Sequence, residues 1–217
     1  MIGFIFDLDG VLTDTSEFHY LAWKRLADEE GIPFTRQDNE ALRGVPRRLS
    51  LEILLKGLPC SESKMQSLMQ RKNEYYLSYV DQITEDNLFV GVRCLLEEIK
   101  SNSFKIGLAS ASRNARLVSQ KLGICDFFDA FGDGTSIYNP KPAPDIFLWV
   151  AGGLNIPVTR CIVFEDAMVG IEGALKGGFH TVGIGSLTRL SGAHYLRENL
   201  QSSSVAEFLT HFNLQSI

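Results

Sequence analysis

Near the amino terminus runs Ile2-Gly3-Phe4-Ile5-Phe6-Asp7-Leu8-Asp9-Gly10-Val11, a short apolar run that ends in two acids and a glycine. Four or five unalternating apolar residues read as a strand buried on both faces, as in a parallel sheet. Acids at i and i+2 on extended backbone project to the same side, so Asp7 and Asp9 stand together where the strand ends. Two such carboxylates repel, and ionising both calls for a cation or a shared proton. Mg2+, a hard cation that takes oxygen ligands, meets that need. The plainer alternative is a strand-end turn with Asp9-Gly10 at its corner.

Similar runs recur at 105–109, 161–164 and 180–184, and helical patterns at 90–100, 114–122, 145–152 and 167–177 alternate with them. This succession predicts an α/β fold, a doubly wound and mostly parallel sheet. Residues 14–87 break the rhythm. They show helical patterns at 17–30, 38–42, 49–56 and 62–80 and no convincing strand. In the first, Phe18, Leu21, Ala22, Arg25 and Leu26 fit one helix face, with Gly31 as a C-cap and Pro33 as a stop. A connection this long carries structure of its own. The expectation is a small all-helical cap, 14–87, inserted after the first strand of a core made of 1–13 and 88–217. It would lie over the carboxyl ends of the strands, where open α/β sheets bind ligands.

The 217 residues suit one domain or a core with an insertion. A composition of 45% hydrophobic and 22% charged residues is that of a globular protein, not a disordered one. A net charge of −5 tells against a broad nucleic-acid surface. No apolar run approaches the ~18 residues of a membrane span, and Met1 leads into a strand-like run rather than a secretory leader. Cys60, Cys94, Cys125 and Cys161 are scattered without a Cys-x-x-Cys, which suits free thiols in a reducing compartment. A cytoplasmic monomer acting on a small molecule is expected, with neither nucleic acid nor membrane as partner.

Three further strand ends carry polar groups. Phe164-Glu165-Asp166 offers a second acid pair; one acid alone would do as a helix cap, worth ~1 kcal/mol. Ser110-Ala111-Ser112-Arg113-Asn114 offers hydroxyls beside free helix N–H groups, an N-cap or an anion site. In Asn139-Pro140-Lys141-Pro142-Ala143-Pro144-Asp145 the prolines stiffen the backbone around Lys141, so its ammonium can be held toward a fixed charge.

These four motifs, in this order, resemble the haloacid dehalogenase-like superfamily across the whole chain, and the helical insertion resembles its small-cap subclass. The resemblance implies that Asp7 is phosphorylated, that Asp9 is the acid/base, and that Asp7, Asp9, Glu165 and Asp166 hold Mg2+. It also implies that Ser110 and Lys141 assist catalysis by holding the transferring phosphoryl group. Displacing halide needs neither a metal nor a proton donor, whereas phosphoryl transfer to or from a hydroxyl uses both.

Within the superfamily the chain is similar to the β-phosphoglucomutases. The likeness is carried by Thr13-Asp14-Thr15 through His19, Trp23-Lys24, Leu42-Arg43-Gly44-Val45-Pro46-Arg47 with Ser50, and Arg71-Lys72-Asn73. It continues through residues 108–114 and 141–147. It implies a sugar-phosphate ligand bound by Thr15, His19, Trp23, Arg43, Gly44, Val45, Arg47, Ser50 and Lys72. From the core, Ser110, Ala111, Ser112, Arg113, Asn114 and Lys141 would bind the same ligand. Arg43, Pro46 and Arg113 stand where those mutases commonly carry Lys, Ser and Lys. His19 and Trp23 at i and i+4 also suit plain core packing, and the arginines a solvated turn. Arg47, however, supplies a fork suited to phosphate beside a glycine that allows close approach. The implied activity is the interconversion of β-glucose 1-phosphate and glucose 6-phosphate through an aspartyl-phosphate and a 1,6-bisphosphate. The alternatives are an Mg2+-dependent phosphatase of small sugar phosphates, which needs no second anion site, and a non-catalytic binding protein, which would not need Asp7 and Asp9.

Overall fold

A computed structural model describes residues 1–186, 188, 190 and 192–215. Strand β1 (Gly3–Phe6) is followed by four helices, α1 (Ser16–Glu29), α2 (Arg36–Glu40), α3 (Arg47–Leu55) and α4 (Glu62–Val80). The chain continues through α5 (Val92–Ser101), β2 (Lys105–Ala109), α6 (Ala115–Lys121), β3 (Ala130–Gly132), α7 (Asp145–Leu154) and β4 (Cys161–Glu165). It ends with α8 (Met168–Lys176), β5 (His180–Ile184), β6 (Tyr195–Arg197) and α9 (Val205–His211).

The strands form one parallel sheet in the order β3-β2-β1-β4-β5-β6. Alternation along the strands divides the core. Phe4, Phe6, Ile106, Leu108, Ile162 and Phe164 pack into one buried cluster. Ile5, Ala109 and Val163 join a second one against Ile146, Phe147 and Val150 of α7. Burial on both faces is why these strands read as continuous apolar runs.

Among the described residues no strand lies between β1 and β2. A third cluster forms within the helices there, from Trp23, Leu26, Phe34, Leu51, Leu54 and Leu68 among others. Helix α1 closes with Gly31 at φ +68°, where its N–H reaches Asp28 O at 3.2 Å and that of Ile32 reaches Ala27 O at 2.8 Å. These two bonds make the Schellman cap that a glycine after the last turn signals. Helix α4 joins two clusters: Met65 and Leu68 belong to the third, Tyr76 and Val80 to the first. Both ends of this helical segment meet at one place. Thr13 and Leu88 are bridge partners, Thr13 Oγ1 donates to Asn87 O at 2.7 Å, and Phe89 N–H donates to Leu12 O at 2.9 Å.

β3, β6 and α9 were not expected from the sequence. Each of the two strands has three residues, too few for a period to show. Both stand at sheet edges, and their identity comes from pairing with β2 and β5.

Phe164 is fully buried, stacked on Phe6 at 4.5 Å and edge-on to Phe208 at 4.9 Å. Removing a large buried aromatic costs about 3–5 kcal/mol. Phe164→Ala should therefore lower the free energy of unfolding by that amount, seen in a urea titration as a lower midpoint with the slope unchanged.

Candidate active site

Phe6 of β1 pairs with Phe164 of the parallel β4, so Asp7 and Glu165 leave the sheet side by side. Asp7 N–H continues the ladder to Phe164 O at 2.9 Å. β1 has β2 on one flank and β4 on the other, and such a reversal of strand order opens a crevice at the carboxyl ends. Asp7, Glu165 and Asp166 are all buried there, with an oxygen of each within 4.8 Å of the others. Gly10, at φ +86°, makes this convergence possible, because a Cβ there would lie 2.3 Å from Asp166 Oδ2. A buried donor set made only of carboxylate oxygens fits a hard divalent cation better than zinc or copper.

Three carboxylates cannot be buried uncompensated. Lys141, itself buried, donates from Nζ to Asp7 Oδ1 at 2.6 Å, Glu165 Oε2 at 2.7 Å and Ala109 O at 3.2 Å. Burial pushes its pKa down, but the charges of Asp7 and Glu165 outweigh that and hold it above the usual lysine value. Glu165 is pushed up to about 8, by burial first and then by the charges of Asp7 and Asp166, with Lys141 pulling the other way. Its second oxygen accepts from Ala167 N–H at 3.0 Å.

Asp9 faces elsewhere. Its N–H donates to Asp7 Oδ2 at 3.0 Å, but its carboxylate accepts from the Thr15 hydroxyl and lies outside the acidic trio. Burial, then the charges of Asp7 and Asp166, push its pKa up to about 7, against the Thr15 hydrogen bond and Lys72. A carboxyl poised near neutrality suits proton exchange in both directions. Thr15 occupies the N-cap position of α1 yet makes no side-chain cap.

Beside the acids opens a cavity of about 360 Å³, lined from the core by Asp7, Asp9, Ala111, Ser112, Arg113 and Asp166. Helices and loops between β1 and β2 line the rest with His19, Trp23, Arg43, Gly44, Val45, Arg47, Ser50 and Lys72. Its cations work against one another. Burial and then the charge of Arg113 lower the pKa of Arg47. Burial and then the charge of Arg47 lower that of Lys72. Burial, then Lys72 and Arg47, lower that of His19, whose Nδ1 lies 2.7 Å from Lys72 Nζ. Such crowding of positive charge is relieved by an anion. Arg43 differs, since its Nη1 donates to Asp166 Oδ2 at 2.8 Å and its Nε faces Glu40.

Thr15, Ser110, Asn114, Lys141 and Glu165 do not line the cavity. Lys141 and Glu165 sit behind Asp7. Ser110 Oγ accepts from Ser112 N–H at 3.1 Å, and Ser112 Oγ from Asn114 N–H at 3.2 Å. Ser50 spends its hydroxyl on Val45 O at 3.1 Å, shaping the Arg43–Arg47 turn from behind. Asn73 and Tyr76 were missed as site residues. Asn73 Oδ1 accepts from Arg47 Nη2 at 2.7 Å and from Asn114 Nδ2 at 2.9 Å, tying α4 and α3 to the loop after β2. Tyr76 stacks on His19, their ring centroids 4.1 Å apart. Tyr76 stands four residues after Lys72 and three after Asn73, the spacings that share a helix face.

Comparison with known proteins agrees with this arrangement. The chain is 43% identical over 197 residues to the β-phosphoglucomutase of Bacillus subtilis, covering 89% of this chain and 87% of that protein. It is 33% identical to a phosphorylated-carbohydrate phosphatase of Thermotoga maritima, over 84% of each. The crystal structure of a β-phosphoglucomutase from Clostridium difficile superposes with a TM-score of 0.95 at 39% identity, over 98% of both chains. A haloacid dehalogenase-like hydrolase family model matches residues 3–178. That match spans most of the sequence, and the chain belongs to the haloacid dehalogenase-like hydrolase family.

Proposed function

We propose that the protein is a phosphomutase that interconverts β-glucose 1-phosphate and glucose 6-phosphate. The observation that carries this is one cavity that has Asp7, backed by Lys141, at one end and the mutually repelling Arg47, Lys72 and Arg113 at the other. A ligand with two phosphates satisfies both. The mutases among the relatives support the same substrate.

Asp7 is the nucleophile. As phospho-Asp7 it gives its phosphoryl group to the 6-hydroxyl of glucose 1-phosphate, forming the 1,6-bisphosphate. After the bisphosphate turns over, Asp7 takes the phosphoryl group from the 1-position and releases glucose 6-phosphate. Asp9 accepts the proton of the attacking hydroxyl and returns one to the departing sugar oxygen. Lys141 and Ser110 hold the phosphoryl oxygens, while Arg47, Lys72 and Arg113 hold the phosphate that is not reacting. Asp7, Glu165 and Asp166, with Asp9 adjoining, would hold Mg2+, which would supply positive charge beside the phosphoryl group. Residues 14–87 act as a cap over a core of 1–13 and 88–217, and exclude the water that would otherwise discharge phospho-Asp7. One chain supplies every lining residue, so a monomer suffices. Four free cysteines suit a cytoplasmic setting.

Asp7→Asn should abolish turnover, whereas Asp9→Asn should still bind phosphate and metal in calorimetry; near-normal activity in Asp7→Asn would sink the mechanism. Exhaustive chelation should also stop turnover and Mg2+ restore it, with excess Ca2+ inhibiting because its longer bonds and higher coordination misplace Asp7. Arg47→Ala separates mutase from phosphatase. A charge-assisted hydrogen bond to phosphate is worth about 1.5–3 kcal/mol, roughly 10- to 150-fold. Glucose 6-phosphate formation should fall by at least that factor, while phosphorylation of Asp7 by acetyl phosphate, which has no second anion, should hardly change. If neither step slows, the phosphatase reading takes precedence.

A further inference from the structure

Asn73 lies in the interior of α4, where asparagine is a poor choice because its side chain competes for the backbone. Its side chain leaves its own helix. Asn73 Oδ1 accepts from Arg47 Nη2 at 2.7 Å and from Asn114 Nδ2 at 2.9 Å. Arg47 opens α3, and Asn114 stands at the N-cap position of α6 without making a side-chain cap, although asparagine is among the best N-caps. Two asparagines thus forgo local roles to meet each other and one arginine. Departures from local preference of this kind gather at functional sites.

Chemistry fixes which way the Asn73 amide faces. A guanidinium only donates, so the atom that Arg47 meets is the Asn73 oxygen, and Asn114 must meet the same oxygen with its nitrogen. A neutral oxygen orients Arg47 without cancelling its charge. A carboxylate in the same place would hold the guanidinium more firmly and neutralise it. The neighbouring arginines show that alternative. Arg43 pairs with Glu40 and Asp166, and Arg48 with Glu52 and Glu62. Among the described residues Arg47 has no carboxylate partner, and its hydrogen bond goes to Asn73.

We propose that Asn73 is a positioning residue: braced by Asn114, its carbonyl holds the Arg47 guanidinium in place at the cavity wall and leaves its full charge for the phosphate that is not reacting. A long arginine side chain loses rotamer freedom when it binds a ligand, and one already fixed loses less. Asn114 ties this arrangement to the loop after β2, so Arg47, a residue of the helical segment, is set in register with the core that carries Asp7. The inference rests on the reading of Arg47 as part of the second-phosphate site.

The test uses the full chain with Mg2+ and beryllium fluoride, a mimic of the phosphoryl group on Asp7, so that a ligand phosphate must bind at the far end of the cavity. Glucose 6-phosphate is titrated in by calorimetry. Asn73→Ala should weaken its binding roughly 3- to 10-fold, the worth of one hydrogen bond. In the Arg47→Ala background the same change should cost less than about twofold, because the group it acts through is gone. Asn73→Asp can accept both bonds but neutralises the guanidinium, so it should not recover the loss. Unchanged affinity in Asn73→Ala, an equal loss in the Arg47→Ala background, or full recovery in Asn73→Asp overturns the proposal; the last would leave Asn73 as a tie between α4 and the loop. Conversion of β-glucose 1-phosphate by the unsubstituted protein is measured alongside. If no glucose 6-phosphate forms, the mutase reading fails by itself, and the Asn73–Arg47 cycle is still read from the calorimetry. If the unsubstituted protein does not bind glucose 6-phosphate, both fall.

Discussion

The contact of the Lys141 ammonium with Asp7 and Glu165 is the constraint around which the site is built. Three carboxylates are buried at the end of one sheet, and the cost of burying them falls to a tolerable level only with a cation at hydrogen-bond distance. That distance ties three elements together. β1 delivers Asp7, β4 delivers Glu165, and α7 begins just past Lys141 and fills the core face beneath with Ile146, Phe147 and Val150. The Lys141 ammonium also lies 5.0 Å from the Phe147 ring centroid. A shift of α7 against the sheet would pull the ammonium off its partners, so apolar packing sets the electrostatics of Asp7.

The other side of the cavity carries the opposite imbalance. Arg47, Lys72 and His19 are disfavoured in their charged forms by burial and by neighbouring positive charge. Neither imbalance favours folding, and both suit a doubly anionic ligand. Among the described residues, Arg43 is the cavity arginine that crosses to the acidic side, and through Asp166 it joins the helical segment to the acid cluster.

What could be read from sequence follows from how local each signal is. β2, β5 and α4 were placed to the residue, because continuous apolar runs and a long helical pattern need no partner to be recognised. The edge strands were invisible for the opposite reason. In the site, the nearness of Asp7 and Glu165 followed from two strand ends in a parallel sheet. The Arg43–Asp166 pair, 123 residues apart, had no local signature. Thr15 entered only through the resemblance, as a ligand contact, and in the fold its hydroxyl turns to Asp9. Trp23 shows why the packing and ligand readings of an i, i+4 pair could not be separated: it is 3% exposed within the third cluster and also lines the cavity.

The bridge between Thr13 and Leu88 has a consequence for how such proteins diversify. The chain leaves the sheet and rejoins it through one doorway, whose two jambs are hydrogen-bonded to each other. Much of what lies between them packs around its own apolar cluster, while Ala22, Tyr76, Val80 and Ile83 reach into the first. A different segment of any length could be spliced between the same two residues without asking the sheet to change register. The reactive chemistry is thereby held constant on one side of the doorway, while the other side remains open to exchange.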